Sequence, residues 1–173
     1  MQKILMITES PNSDALKLKI NDLYLVNKNP FCQFFGRPIF GNEKLFLKYF
    51  KIENIKWMHA KGSSCYRNKY DDGEEAIIKS INQNDYKLVI TFGRPALKII
   101  IPNFDNFNKL FNSKRTLNKL FNDKITKNNF ELVPFPHPSG RAQSIWMNNY
   151  KYLSENLLKV QSRVQDILKM DMG

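Results

Sequence analysis

Residues 133–150, VPFPHPSGRAQSIWMNNY, hold the densest chemistry in the chain. His137 stands between Pro136 and Pro138, with Ser139 and Gly140 next, then Arg141 and Gln143. Proline fixes φ, so this imidazole is carried on a rigid tip rather than a slack loop. Imidazole is the side chain best suited to moving protons near neutral pH, and the chain has only two, His59 and His137. Two further apolar runs end on polar tips: KILMIT on Glu9, Ser10 and Pro11, and YKLVITF on Gly93, Arg94 and Pro95. A carboxylate and an imidazole brought to one cleft could work as acid and base. Held apart, they would be a surface glutamate near a lysine and a turn histidine bonded to backbone.

A parallel sheet is what would bring the tips together. KILMIT, NIKWMHA, YKLVITFG and FELVPF read as four strands, the second ending near His59. Between them, DDGEEAIIKSINQN reads as a helix with acids in its first turn, and RPALKIII as one with Pro95 at its start. NEKLFLKYFKI has Leu45, Phe46, Tyr49 and Phe50 at helical spacing, with Asn42 as N-cap. The last helix, NNYKYLSENLLKVQSRVQDILKM, is amphipathic, with apolar Tyr152, Leu153, Leu157, Val160, Val164 and Leu168. DALKLKINDLYLV has mixed periodicity, and NPFCQFFGRPIFGN suits a structured loop. Residues 103–129, dense in Asn, Lys and Phe, read as surface helix and loop. Alternating strands and helices imply an α/β fold, a small, mostly parallel central sheet covered on both faces. In such a sheet ligands bind beyond the carboxyl ends of the strands, where all three tips lie.

Composition narrows the function classes. With 173 residues, one domain spanning 1–173 is expected, and 42% hydrophobic residues with 13% aromatics suit a folded globule. No apolar run reaches membrane-spanning length and the N-terminus lacks a signal-peptide pattern, so a soluble, intracellular, cytoplasmic protein with no membrane partner is expected. Cys32 and Cys65 alone cannot build a disulfide framework or a four-thiolate metal site, so no metal is expected. The net charge of +11 favours an acidic partner, nucleic acid being the commonest, although a Lys- and Asn-rich codon bias would also raise it.

TESPN after the first strand, LVITFGRPALK across the third, and PFPHPSGR after the last together resemble three landmarks of the uracil-DNA glycosylase superfamily. The first is similar to the Gly-Glu-Ala-Pro-Gly motif of its thermostable iron–sulfur branch, the last to its His-Pro-Ser motif and DNA-penetrating loop. FFGRPIFGNEKLFLKYF resembles the loop and helix that hold the stacking aromatic. The resemblance covers most of the chain in consistent order. It implies a three-layer α/β/α domain that flips a base out of DNA and hydrolyses its N-glycosidic bond. That bond breaks through an oxocarbenium-like sugar while negative charge grows on the departing base. By the same resemblance Glu9 would orient or deprotonate water, and His137 would stabilise the leaving base. Phe34 would stack on the base within a pocket that includes Ser10, Pro11 and His59. Ser139, Gly140, Arg141 and Gln143, with Gly93 and Arg94, would contact DNA, Arg141 or Gln143 filling the vacated stack. Flipping costs a few kcal/mol, of which aromatic stacking can return roughly 1–3 kcal/mol.

The chain departs from the family in three places. Its two cysteines cannot supply the four of the iron–sulfur branch, so no cluster and no cofactor is expected. His59 falls where an Asn normally reads the edge of uracil, and imidazole offers a donor and an acceptor only in one chosen tautomer. The stretch between Glu9 and the Phe34 loop is longer than in the family. Both pocket changes favour a modified or bulkier pyrimidine, such as a modified phage cytosine, over uracil. The expected activity is that of a monofunctional DNA glycosylase leaving an abasic site, in base excision repair or phage defence. It would act as a monomer on duplex or single-stranded DNA. Two other readings are an inactive DNA-binding relative and an enzyme on free nucleotides whose Gly93 turn cradles phosphate.

Overall fold

The computed structural model describes residues 3–8, 50–54, 70–104, 125, 129–137 and 143–172. Within them the chain forms β1 (Ile4–Thr8), β2 (Phe50–Asn54), α1 (Tyr70–Gln83), β3 (Leu88–Phe92), α2 (Arg94–Ile100), β4 (Glu131–Phe135), α3 (Gln143–Asn148) and α4 (Tyr150–Met172). The strands make one sheet in the order β2-β1-β3-β4, every neighbouring pair parallel. The fold is therefore α/β, as the alternation of strands and helices requires.

β1 and β3 are central, and burial of all five residues in each explains why ILMIT and LVITF are almost wholly apolar. Successive side chains alternate between faces, so Leu5 and Ile7 bury on one side while Ile4 and Met6 bury on the other. Each large aliphatic side chain so buried contributes on the order of 1.5–3 kcal/mol. Glu131, which pairs with Leu88 and shares a face with Val133 and Phe135, is bridged by Lys159 at 2.8 Å and Arg163 at 3.5 Å. Those two cations fix α4 over β4. From α4 come the buried residues Leu153, Leu157, Val160, Val164 and Ile167, a stripe of alternating four- and three-residue steps.

β4 lies at the sheet edge, and its proline has a definite place there. Glu131 donates to Lys87 O (3.0 Å) and Phe135 O accepts from Gly93 N (2.8 Å), so residues 131 and 135 turn their backbone groups toward β3. Pro134 is out of step with them. Its missing N–H faces away from β3, where no strand lies among the described residues, so the proline costs this ladder nothing.

Two expectations need correction. The second strand is described as Phe50–Asn54; of the NIKWMHA segment read as a strand, Asn54 belongs to it and the remainder lies outside the described residues. Its first residues end the stretch read as a helix; pairing with β1, Ile4 against Phe50 and Met6 against Ile52, overrides the local helical pattern. Residues 103–129 are not all surface, since Phe104 and Ile125 are buried. The long C-terminal helix stands where the sequence put it, as α4, and the separate short α3 precedes it with a break at Asn149. There the Asn149 side chain donates to Ile145 O at 2.8 Å, the kind of local bond by which asparagine competes with a helix.

Candidate functional site at the carboxyl edge of the sheet

From β1 the chain goes first to β2 on one side, then returns to β3 on the other. Strand order thus reverses between β1 and β3, and in open α/β sheets the crevice outside the carboxyl ends at such a reversal is where ligands bind. The groups at that edge can be built up strand by strand.

Beneath the crevice, Phe92 and Phe135 end β3 and β4 in register and stack with ring centroids 5.9 Å apart and planes 18° apart. Both rings are buried, giving the two tips a common apolar floor. Thr8 ends β1 and is also buried.

Above that floor the chain turns sharply. Gly93 has φ 86° and ψ 166°, a backbone conformation open to glycine and strained for other residues. Its N–H donates to Phe135 O at 2.8 Å, and its carbonyl accepts Leu97 N at 3.2 Å to start α2. A β-carbon at Gly93 would stand 3.4 Å from His137 Cβ and 3.6 Å from His137 Cδ2. The glycine is thus needed for its φ, while a methyl there would meet His137 at ordinary van der Waals contact. His137 itself is half-buried and makes its own interactions.

Two cations flank this edge. Arg94 opens α2 and Lys98 follows one turn later, both exposed. β1 and β4 flank β3, and neighbouring strands lie ≈ 4.8 Å apart, so the ends of β1 and β4 are separated by roughly 10 Å.

Of the residues picked from sequence, Gly93, Arg94 and His137 are described, and Gly93 and His137 pack against each other. Gln143 opens α3. Glu9, Ser10, Pro11, Phe34, His59, Ser139, Gly140 and Arg141 lie outside the described residues. Glu9 directly follows Thr8, the last residue of β1. Two polar groups escaped the sequence reading. Thr91 Oγ1 is fully buried with no hydrogen-bond partner among the described residues. Glu53, nearly buried on β2, has its carboxyl pushed above the usual carboxylate range by burial, which Lys51, 3.7 Å away, only partly offsets. Neither stands out in sequence: Thr is a common strand residue even within an apolar run such as LVITF, and Glu53 alternates with apolar neighbours as in any amphipathic strand.

Among the described residues no group of three or more His, Cys, Asp or Glu side chains could hold a metal ion. None of the described helices is long and apolar enough to cross a membrane. No protein-family model matches the chain, and no curated protein sequence matches it significantly.

Proposed function

We propose that this chain is a single-domain, monofunctional DNA glycosylase of the uracil-DNA glycosylase superfamily, hydrolysing the N-glycosidic bond of a modified pyrimidine or of uracil. The observation that carries the reading is the packing of His137 against Gly93 at the strand-order reversal, one strand from the end of β1 that precedes Glu9. A three-layer α/β/α arrangement is part of the proposal. Both faces of β1 and β3 are buried, and α4 covers the face that bears Glu131. Right-handed crossovers would send α1 and α2 to the opposite face.

In this mechanism a base leaves the DNA stack and enters the crevice, stacking on Phe34 with its edge toward His59, Ser10 and Pro11. Glu9 holds the attacking water on the far side of the sugar and offsets the growing cation. His137 donates to the base oxygen that gains charge as the bond breaks. Its rigid mounting means little reorganisation at the moment of reaction. Ser139, Gly140, Arg141 and Gln143 would hold the strand open, with Arg94 on phosphate. No step calls on a metal or a cofactor.

The test is a nicking assay. Defined duplexes bearing uracil, hydroxymethylated or glucosylated pyrimidines are incubated with protein, and abasic sites are cleaved with alkali. Wild-type protein gives breaks at the modified base. Glu9→Gln lowers the rate by about 10²–10⁴-fold, the usual contribution of a positioned acid or base. Gel shifts without breaks on every substrate would instead favour an inactive DNA-binding relative.

A further inference from the structure

The cations among the described residues fall into two groups. Lys3 and Lys87 both pair with Asp85 (3.5 and 2.9 Å), Lys51 pairs with Glu53 (3.7 Å), and Lys159 and Arg163 pair with Glu131 (2.8 and 3.5 Å). Lys79, Lys151 and Lys169 each have an acid three or four residues away on their own helix: Glu75, Glu155 and Asp166. Such spacing puts opposite charges side by side.

Arg94 and Lys98 have neither kind of neighbour. Residues 86–104 contain no acid, and neither cation forms an ion pair among the described residues. Both are exposed, and they stand at i and i+4, where like charges repel. Arg94 also occupies the first turn, the helix end that disfavours a positive charge. Lys98 alone has an ordinary explanation, since the last turn welcomes a cation. The pair does not. A short helix that places a cation in its first turn and a like charge one turn on, beside the crevice, is arranged for an external anion.

We infer that the outer face of α2 is a track for nucleic-acid phosphates, on which Lys98 extends the contact of Arg94 by one helical turn. This rests on the proposed DNA-glycosylase reading and adds to it the path of the backbone away from the flipped base. The two α-carbons are about 6 Å apart along the axis, so the long side chains can hold two phosphates of one strand. The track gives affinity and register and carries no sequence preference.

The experiment is fluorescence anisotropy of the full chain on an unmodified duplex across a salt series. Each neutralised phosphate adds roughly 0.9 to the slope of log K against log salt. Arg94→Ala with Lys98→Ala should therefore flatten the slope by roughly 1.8, and Lys98→Ala alone by roughly 0.9. Lys79→Ala with Lys151→Ala, which removes the same charge elsewhere, should leave the slope unchanged. Exposed positions make loss of folding a poor explanation, and an unchanged melting curve checks it. If wild-type protein binds DNA with a salt-dependent slope and the Arg94/Lys98 variant shows the same slope, the track is wrong and the glycosylase reading stands. If wild-type binding to DNA is absent or flat with salt, both fall together. If the variant loses binding to phosphatidylserine vesicles with its DNA slope intact, the track faces a lipid surface and the nucleic-acid assignment is overturned.

Discussion

The two edges of the sheet are built on opposite principles. At the amino edge charges are neutralised where they stand. Lys3 and Lys87 share Asp85, Glu131 is shared by Lys159 and Arg163, and Ser80 and Tyr86 join hydroxyls at 2.9 Å. The backbone is knitted there too, Lys87 N to Lys3 O at 2.8 Å and Glu131 N to Lys87 O at 3.0 Å. At the carboxyl edge sit a glycine at positive φ, an imidazole beside it, and two cations with no ion pair among the described residues. One edge ties the strands in register; the other gathers exposed charge, a turn that only glycine adopts readily, and a half-buried imidazole. Proteins tend to tolerate such locally unfavourable choices where they bind or react.

This contrast can be tested by substitution at each edge. Gly93→Ala should have the largest effect, destabilising by about 1–3 kcal/mol through its φ alone. It should also shift the His137 imidazole resonances, which are readily assigned because His59 is the only other histidine. Lost stability with unmoved resonances would mean the glycine serves the turn and not the imidazole.

Thr91→Val comes next. It replaces a buried hydroxyl that has no partner among the described residues with a methyl of similar shape, and should stabilise by about 1 kcal/mol in chemical denaturation. A loss instead would reveal a bond to the hydroxyl. At the amino edge, Glu131→Gln breaks two half-exposed pairs and should cost about 0.2–1 kcal/mol at low salt, less as salt rises. A cost that ignored salt would deny that edge its electrostatic character.

Smallest should be Glu53→Gln, whose sign depends on pH. Burial raises the folded-state pKa of Glu53 above its unfolded value of 4.5, so the native protein holds this proton more tightly than the unfolded chain does. Its contribution to stability is full below pH 4.5 and lost as pH rises through the raised folded value. The glutamine variant should match wild type in acid and gain slightly on it toward neutral pH. A gain confined to acid would reverse the assignment.

Much of the scaffold was legible in the sequence. ILMIT and LVITF announce buried parallel strands because both their faces must be apolar, and the heptad-like stripe of α4 is written in Leu153, Leu157, Val160 and Val164. β2 was not legible in the same way. Phe50-Lys51-Ile52-Glu53 alternates as a strand should, yet Leu45, Phe46, Tyr49 and Phe50 also fit a helix, and partnership with β1 decides between them. Phe104 buries out of a polar surround, and Ile125 ends LNKLFNDKI, whose helical spacing suits a surface helix as well as a buried one. At the candidate site, proline and glycine marked the tips of β3 and β4, but no spacing in sequence tells that Gly93 and His137 touch. That contact depends on β3 and β4 being neighbours.

The most direct measurement is mass spectrometry of bases released from a panel of phage genomic DNAs carrying different modified pyrimidines. The account predicts that wild-type protein liberates one class of free base, and that Glu9→Gln and His137→Ala variants, folded as judged by melting, liberate little or none. Free base appearing just as fast with Glu9→Gln, or no base released from any DNA, uracil-containing DNA included, would contradict it.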